Sequence, residues 1–467
     1  MQYNVNNFIT GVEGLDKILG GITPPYTILI AGHPGSGKTT FASSICYSNT
    51  LRGFKCLYVS VYEEKDKLFK IMDKLNIRLS EAEEKGLLKF LRIPLTLDLE
   101  KFADIISKIV SEEGFNIVVI DSITAIIESA KLDLEKRAWL LNYFYQLPSA
   151  INGVLVLIAE LPFGRESIDL GSVEFTSDAT FILKHTVEDR FIVRLLEIRK
   201  ARGKPIHLAE VPFSIVEGRG FVVYTPPILE ELPKQKEEVV FPCKCLRDKM
   251  EHIHRDFLVN IFFPPETIYG REVLIILLAI AVMYKFKILV ISYISSPSVL
   301  KDMLNNIVSS YGIDFKKVEK LVNEYMVFKG LNPFAQSLTQ LMVKELELVE
   351  NYNPDIVVFH GFHLLKYDPI KRLKELYTEV LYLKSRGVGI IRIGNCDDEK
   401  RCVEEASISD MTLKVERFVA DSKYDYKVIV YRRYREPTII TSEEMKICIK
   451  EAIDYIKQNL DELHLDS

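Results

Sequence analysis

Positive charge is not in excess in this chain: 60 Lys and Arg face 65 Asp and Glu, a net charge of −5. No global basic field draws it to nucleic acid; only a local basic patch would do so. Cysteine is sparse too, with seven residues at 46, 56, 243, 245, 396, 402 and 448. That odd, scattered set excludes a dense disulfide framework and reads as free thiols in a reducing, cytoplasmic interior. A zinc site joining Cys243 and Cys245 to Cys396 and Cys402 is the alternative, but the spacings follow no common zinc pattern. Long apolar runs are also missing. The longest, Val273 to Met283, is about half of a bilayer span and reads as a buried helix. "MQYNVNNFIT" has no positive start ahead of an apolar core, so a signal peptide is not expected.

What is present is length and order. The 467 residues are too many for one core and suggest two domains of similar size. In the first half, apolar runs such as "YTILIAG", "KCLYVSV", "FNIVVID" and "GVLVLIAE" alternate with stretches of helical spacing. Strands apolar on successive residues and separated by helices imply a mostly parallel sheet covered on both faces. After Thr176 the pattern turns to antiparallel hairpins, "ATFILKHT" with "RFIVRLLEIRK", then "IHLAEVPFSIV" with "GFVVYT". The proline- and charge-rich residues 226–240 read as a linker.

The second half repeats the first. "FKCLYVSVYEEKDKL" lies over "FKILVISYISSPSVL", "NIVVIDSIT" over "DIVVFHGFH", and "RFIVRLLEIRKARGKP" over "YDYKVIVYRRYREP". Three matches in one order indicate tandem duplication, with domains at 1–225 and 241–467. The fold class expected is α/β, two tandem domains with C-terminal β-hairpins.

"AGHPGSGKTT" carries the chemistry. Gly32, then four residues, then Gly37-Lys38-Thr39 is the spacing of a phosphate-binding loop between strand and helix. Gly32, Gly35 and Gly37 let backbone N–H groups turn inward, with His33, Pro34, Ser36 and Thr40 completing the stretch. Lys38 supplies a point charge for phosphate, and Thr39 a hydroxyl for Mg²⁺. Asp121, ending "NIVVID", is the expected second magnesium partner. Glu63 and Glu64 follow the next strand. They read either as a base that polarises water for attack on ATP or as acids opening a helix. Glu160, ending "LIAE", could sense the γ-phosphate or merely end a strand, and is left outside the core site.

In this order, "FITGVEGLDKILGG", the phosphate loop, "YVSVYEE", "VVIDS", "EFTSDATFIL" and "RKARG" resemble the KaiC-like ATPases of the RecA superfamily over residues 8–224. The resemblance implies two RecA-like P-loop domains and Glu63 and Glu64 as catalytic residues. It also implies a homo-oligomeric ring, usually hexameric, with ATP between subunits. Lys200 and Arg202 of "KARG" would reach the neighbour's γ-phosphate; otherwise they are a solvated hairpin end. "GGITPPY" replaces the longer glycine-rich turn usual in that family.

The second copy departs from this set. "PPETIYGRE" stands opposite the cradle, with Gly270-Arg271-Glu272 in place of Gly37-Lys38-Thr39. Ser295 and Ser296 replace the glutamates, His360 replaces Asp121, and Tyr434 replaces Arg202 in this alignment. The expectation is an ATP-binding, slowly hydrolysing first domain beside a dead copy that acts as scaffold, regulator or docking surface for protein partners. Autophosphorylation is not expected, because in the family it belongs to the second domain. Two alternatives stand: a recombinase-related DNA-binding ATPase, and an ATP-gated scaffold with negligible turnover. The segment at a recombinase's DNA loop, "LPFGRESIDLGSVEFTSD", has one arginine against four acids, which argues against DNA. No membrane partner is expected.

Overall fold

The computed structural model describes residues 7–94, 99–129, 134–162, 176–188, 191–206, 209–225, 237–264, 272–335, 337–365, 369–396, 398–420 and 423–462. The chain divides into two compact units, Met1–Thr225 and Pro226–Ser467.

The first unit is built on nine strands: β1 Tyr26–Gly32, β2 Cys56–Ser60, β3 Leu88–Arg92, β4 Ile117–Asp121, β5 Val154–Glu160, β6 Ala179–Glu188, β7 Phe191–Ala201, β8 Glu210–Val216 and β9 Gly220–Val223. They lie in the order β3-β2-β4-β5-β1-β6-β7-β8-β9. The six from β3 to β6 pair in parallel and the rest antiparallel. The central strands are buried on both faces, which is why they are apolar at successive positions. Ile28 and Ile30 join the core on one side, Leu29 and Ala31 that on the other. Strand β3 was not legible in the sequence: "LKFLR" is a half-exposed edge whose lysine and arginine break the apolar run.

The second unit repeats the plan. Its strands are β10 Glu238–Val239, β11 Ile253–His254, β12 Leu258–Phe263, β13 Ile288–Ser292, β14 Met326–Gly330, β15 Ile356–His360, β16 Gly389–Asn395, β17 Met411–Ala420, β18 Lys423–Arg432 and β19 Thr438–Thr441. The main sheet runs β14-β13-β15-β16-β12-β17-β18-β19. Strands β10 and β11 form a separate ribbon, so the end of the stretch expected as linker is structured, with Val239 buried. The apolar run expected as a buried helix is one, Glu272–Tyr284. Among the described residues no helix is long and apolar enough to cross a membrane.

The cysteines differ from expectation. Cys46 pairs with Cys56, Cys243 with Cys448, and Cys396 with Cys402. Cys245 is free and lies with Cys243 and Cys448 in one three-sulfur cluster. Cys396 and Cys402 pair with each other, so the four-cysteine zinc set is not formed. Folding joins Cys243 to a residue 205 positions away, which spacing along the chain does not reveal.

One face of the second sheet is polar where the first unit is apolar. At the places of Ile106, Phe144 and Leu157 stand Glu345, Glu379 and Arg392, all buried. Tyr293 donates to Glu345, and Arg392 pairs with Glu405. Burial, more than any other cause, pushes the Glu345 carboxyl up to about 7. Burial and then the Glu345 charge hold Glu379 well above the carboxylate range. A raised folded-state pKa means a contribution fully present at acid pH and lost as pH rises through about 7. Glu345 by itself should therefore cost the second unit on the order of 2–3 kcal/mol of stability between pH 5 and pH 8, and Glu379 adds to the loss in the same direction. Calorimetry on the full chain should show its transition falling over that range, and Glu345→Gln should flatten the slope. A flat wild-type profile would refute this account.

Candidate functional site

The loop that joins β1 to the helix Lys38–Thr50 occupies residues 33–37, at the carboxyl end of the parallel strands. Its shape depends on glycine at two kinds of position. Gly37 has φ +101° and Gly35 φ +76°. A Cβ on Gly32 would stand 2.5 Å from the Leu183 carbonyl oxygen and 2.6 Å from Ser36 Oγ. Lys38 is folded into the loop, its Nζ donating to the carbonyls of Gly32 and His33 at 2.9 Å each. Burial lowers its pKa, against the nearby charges of Glu160 and Asp121. Ser36 Oγ is buried without a hydrogen-bond partner. Pro34 and Gly35 form the exposed side of the loop, His33 is half-buried with its ring against the Leu161 carbonyl, and Thr40 is buried at the helical end.

Thr39 Oγ1 donates to Asp121 Oδ2 at 3.0 Å, and the phenol of Tyr58 donates to the same oxygen at 3.0 Å. Two residues 82 apart in sequence thus meet beside the cradle. Burial raises the Asp121 pKa, and the Thr39 and Tyr58 hydrogen bonds oppose it. A hydroxyl and a carboxylate are the hard oxygen donors that suit Mg²⁺. Tyr58 was missed in the sequence because a tyrosine inside an apolar strand looks like core. Glu160 pairs with Gly32 across β5 and β1, which places it at the loop rather than at a remote strand end.

The two glutamates diverge. Glu63 donates its N–H to Ser60 Oγ and pairs with Lys67 at 3.1 Å. Glu64 is the N-cap of the helix Lys65–Lys74, its side chain 70% exposed and paired with Arg92 on β3. Lys200 stands on β7 opposite Thr180, two strands across from β1, and Arg202 is held at the other end of β1. Arg202 donates its N–H to the Asp178 carbonyl and its guanidinium pairs with Asp178, whose carboxylate in turn receives the N–H of Thr27. Thr27 is five residues along β1 from Gly32, about 17 Å at the rise of a strand.

The amino-terminal residues 8–228 match a family described as "ATPase: KaiC". The first domain belongs to the KaiC family. This KaiC domain resembles a UPF0273 protein of Pyrococcus horikoshii, 25% identical over 242 residues, covering 47% of this chain and 95% of that one. A UPF0273 protein of Thermotoga maritima is 26% identical over 238 residues, 46% of this chain and 94% of its own. The circadian clock protein KaiC3 of Synechocystis is 23% identical over 401 residues, 81% of this chain and 77% of that one. That alignment is longer than the first domain and so extends into the second.

In the second domain the strand register places Ser292 against His360 as Ser60 stands against Asp121 in the KaiC domain. Ser295 and Ser296 hold the places of Glu63 and Glu64, Ser296 as helix N-cap. The expected replacement of Arg202 by Tyr434 is corrected. Arg433, like Arg202, donates its N–H to the carbonyl of the aspartate before the hairpin, here Asp410, so Arg433 is its counterpart. The shift of one came from aligning "KARGKP" and "RRYREP" without the bulge at Thr180/Phe181. Gly270 and Arg271 lie outside the described residues, while Glu272 opens its helix. The candidate DNA segment lies mostly outside them too, at 163–175.

Proposed function

We propose that the KaiC domain binds Mg-ATP and hydrolyses it slowly at the interfaces of a homo-oligomeric ring, six-membered by resemblance. The second domain, lacking a nucleotide site, acts as scaffold or regulator. The observation that carries this reading is the convergence of Thr39 and Asp121 beside a glycine cradle that holds a buried lysine. Magnesium bound by that pair supplies charge neutralisation on the phosphates. The loop amides and the helix amino terminus receive phosphate oxygens, and Lys38 exchanges its two carbonyl acceptors for them.

Of the two glutamates, Glu63 is the better candidate to polarise the attacking water. Its charge acts on Tyr58, which itself bonds Asp121, whereas Glu64 is turned to the sheet edge. Arg202 lies about 17 Å along the strand from its own loop and Lys200 stands two strands across from β1, so a role at phosphate requires a second copy of the chain. There they stabilise the charge that develops on transfer.

Purified protein should release phosphate from ATP. The double substitution Glu63→Gln/Glu64→Gln should abolish release while keeping nucleotide binding. Release unchanged in the double variant would sink the catalytic assignment. Light scattering with and without ATP tests the ring. An ATP-dependent rise in mass without phosphate release would favour the ATP-gated scaffold instead.

A further inference from the structure

We propose that the second domain holds a small, hydrocarbon-rich molecule with an uncharged polar end, in a cavity beneath its main sheet. The cavity measures about 280 Å³. Its walls include Val259 and Ile261 of β12, Leu413 of β17, Val428 of β18, and Leu277 and Ile280 of the helix Glu272–Tyr284. Apolar cavities of about 150 Å³ already stay dry and take up benzene-sized guests. The cavity is open to solvent on one side, where the lining residues Glu272 and Arg417 are exposed, so a guest has a way in. It is a binding volume, not a packing fault.

Comparison of the two copies shows how the space arises. In the KaiC domain the same face is filled by phenylalanines in mutual contact. Phe41 stacks on Phe221 at 4.9 Å and meets Phe181 edge-on at 5.5 Å, and Phe213 stacks on Phe221 at 4.4 Å. Ile30 pairs with Phe181 in the first sheet, and its counterpart Ile261 pairs with Leu413 in the second. The second copy also leaves the sheet at Ser442, which opens the helix Ser442–Glu462, two residues after Ile440. That is where β8 continues to Phe213 in the first copy, because Val211 and Ile440 occupy the same register. The phenylalanine cluster of the first copy has no counterpart at these positions, while Phe241, Phe257 and Phe263 stand in the cavity wall.

The polar lining among the described residues is Glu272, Arg417 and Tyr426. Arg417 and Tyr426 face each other across β17 and β18. One cation, one anion and a phenol leave no net charge to offset a charged guest, but offer both donors and acceptors to a hydroxyl, carbonyl or amide. A carboxylate or ammonium end would meet one opposite and one like charge there, so no net attraction offsets the cost of taking it out of water.

The test uses the full chain and the neutral fluorescent probe N-phenyl-1-naphthylamine. Its emission should rise saturably, with one probe per chain. Decan-1-ol should displace it at a concentration at least about tenfold below that needed with decanoate or decylammonium. Leu413→Phe, which restores the residue of the first copy, should weaken probe binding at least about tenfold and leave the melting temperature equal or higher. Should that variant fail to fold, Ile276→Phe fills the same space from the helix side. Absence of saturable binding, or binding untouched by the filling variant that folds, overturns the site. Displacement by decanoate as good as by decanol overturns the uncharged end.

Discussion

Lys38→Ala should lower ATP affinity by about a hundredfold, the worth of one charge-assisted bond to phosphate made from a buried position. Titration with a fluorescent ATP analogue reads this directly. The effect is large because Lys38 has no substitute in the loop. Its amine is buried and already bonded to the carbonyls of Gly32 and His33, positioned by the glycines on either side. Lys38→Arg should not restore affinity, since a planar guanidinium cannot occupy a pocket shaped around a point charge. Calorimetry separates lost binding from lost folding, because the two removed hydrogen bonds also hold the loop. An affinity change below about threefold would mean that nucleotide, if bound, is bound elsewhere.

Two inactive variants should restore each other. Glu63→Gln/Glu64→Gln keeps Arg202, and Arg202→Ala keeps the glutamates; if the site is shared between copies, neither works alone. In an equal mixture, about one interface in four combines intact glutamates with an intact arginine, so about a quarter of wild-type phosphate release should return. If Arg202 acts within its own chain, the mixture gives no more than the sum of the two residues of activity. The geometry favours the first outcome. Arg202 is tied to Asp178 and, through it, to Thr27 at the amino end of β1, whereas the loop leaves the carboxyl end. The same experiment with Lys200→Ala distinguishes the two basic residues, since Lys200 sits on β7 opposite Thr180 and Arg202 beyond the strand end.

The sequence by itself determined the class of fold, the repeat and the glycine-rich turn between the first strand and its helix. These depend on local signals. A parallel strand buried on both faces is apolar at most successive positions, a tight turn must be glycine at the places where a Cβ would collide, and a duplicated chain keeps its order of elements. Tertiary structure alone decided which of the flanking polar residues meet. Tyr58 reads as core until Asp121 is seen against it. Glu63 and Glu64 are neighbours in sequence and part company in space. Arg433 rather than Tyr434 matches Arg202, because a bulge in one hairpin shifts the count by one. Cys243 finds Cys448 only through the packing of the last helix, and Glu345 lies against Glu379 on a face whose first-domain counterpart is wholly apolar. Each of these is a contact between residues distant along the chain, set by register and packing, and no local pattern records it.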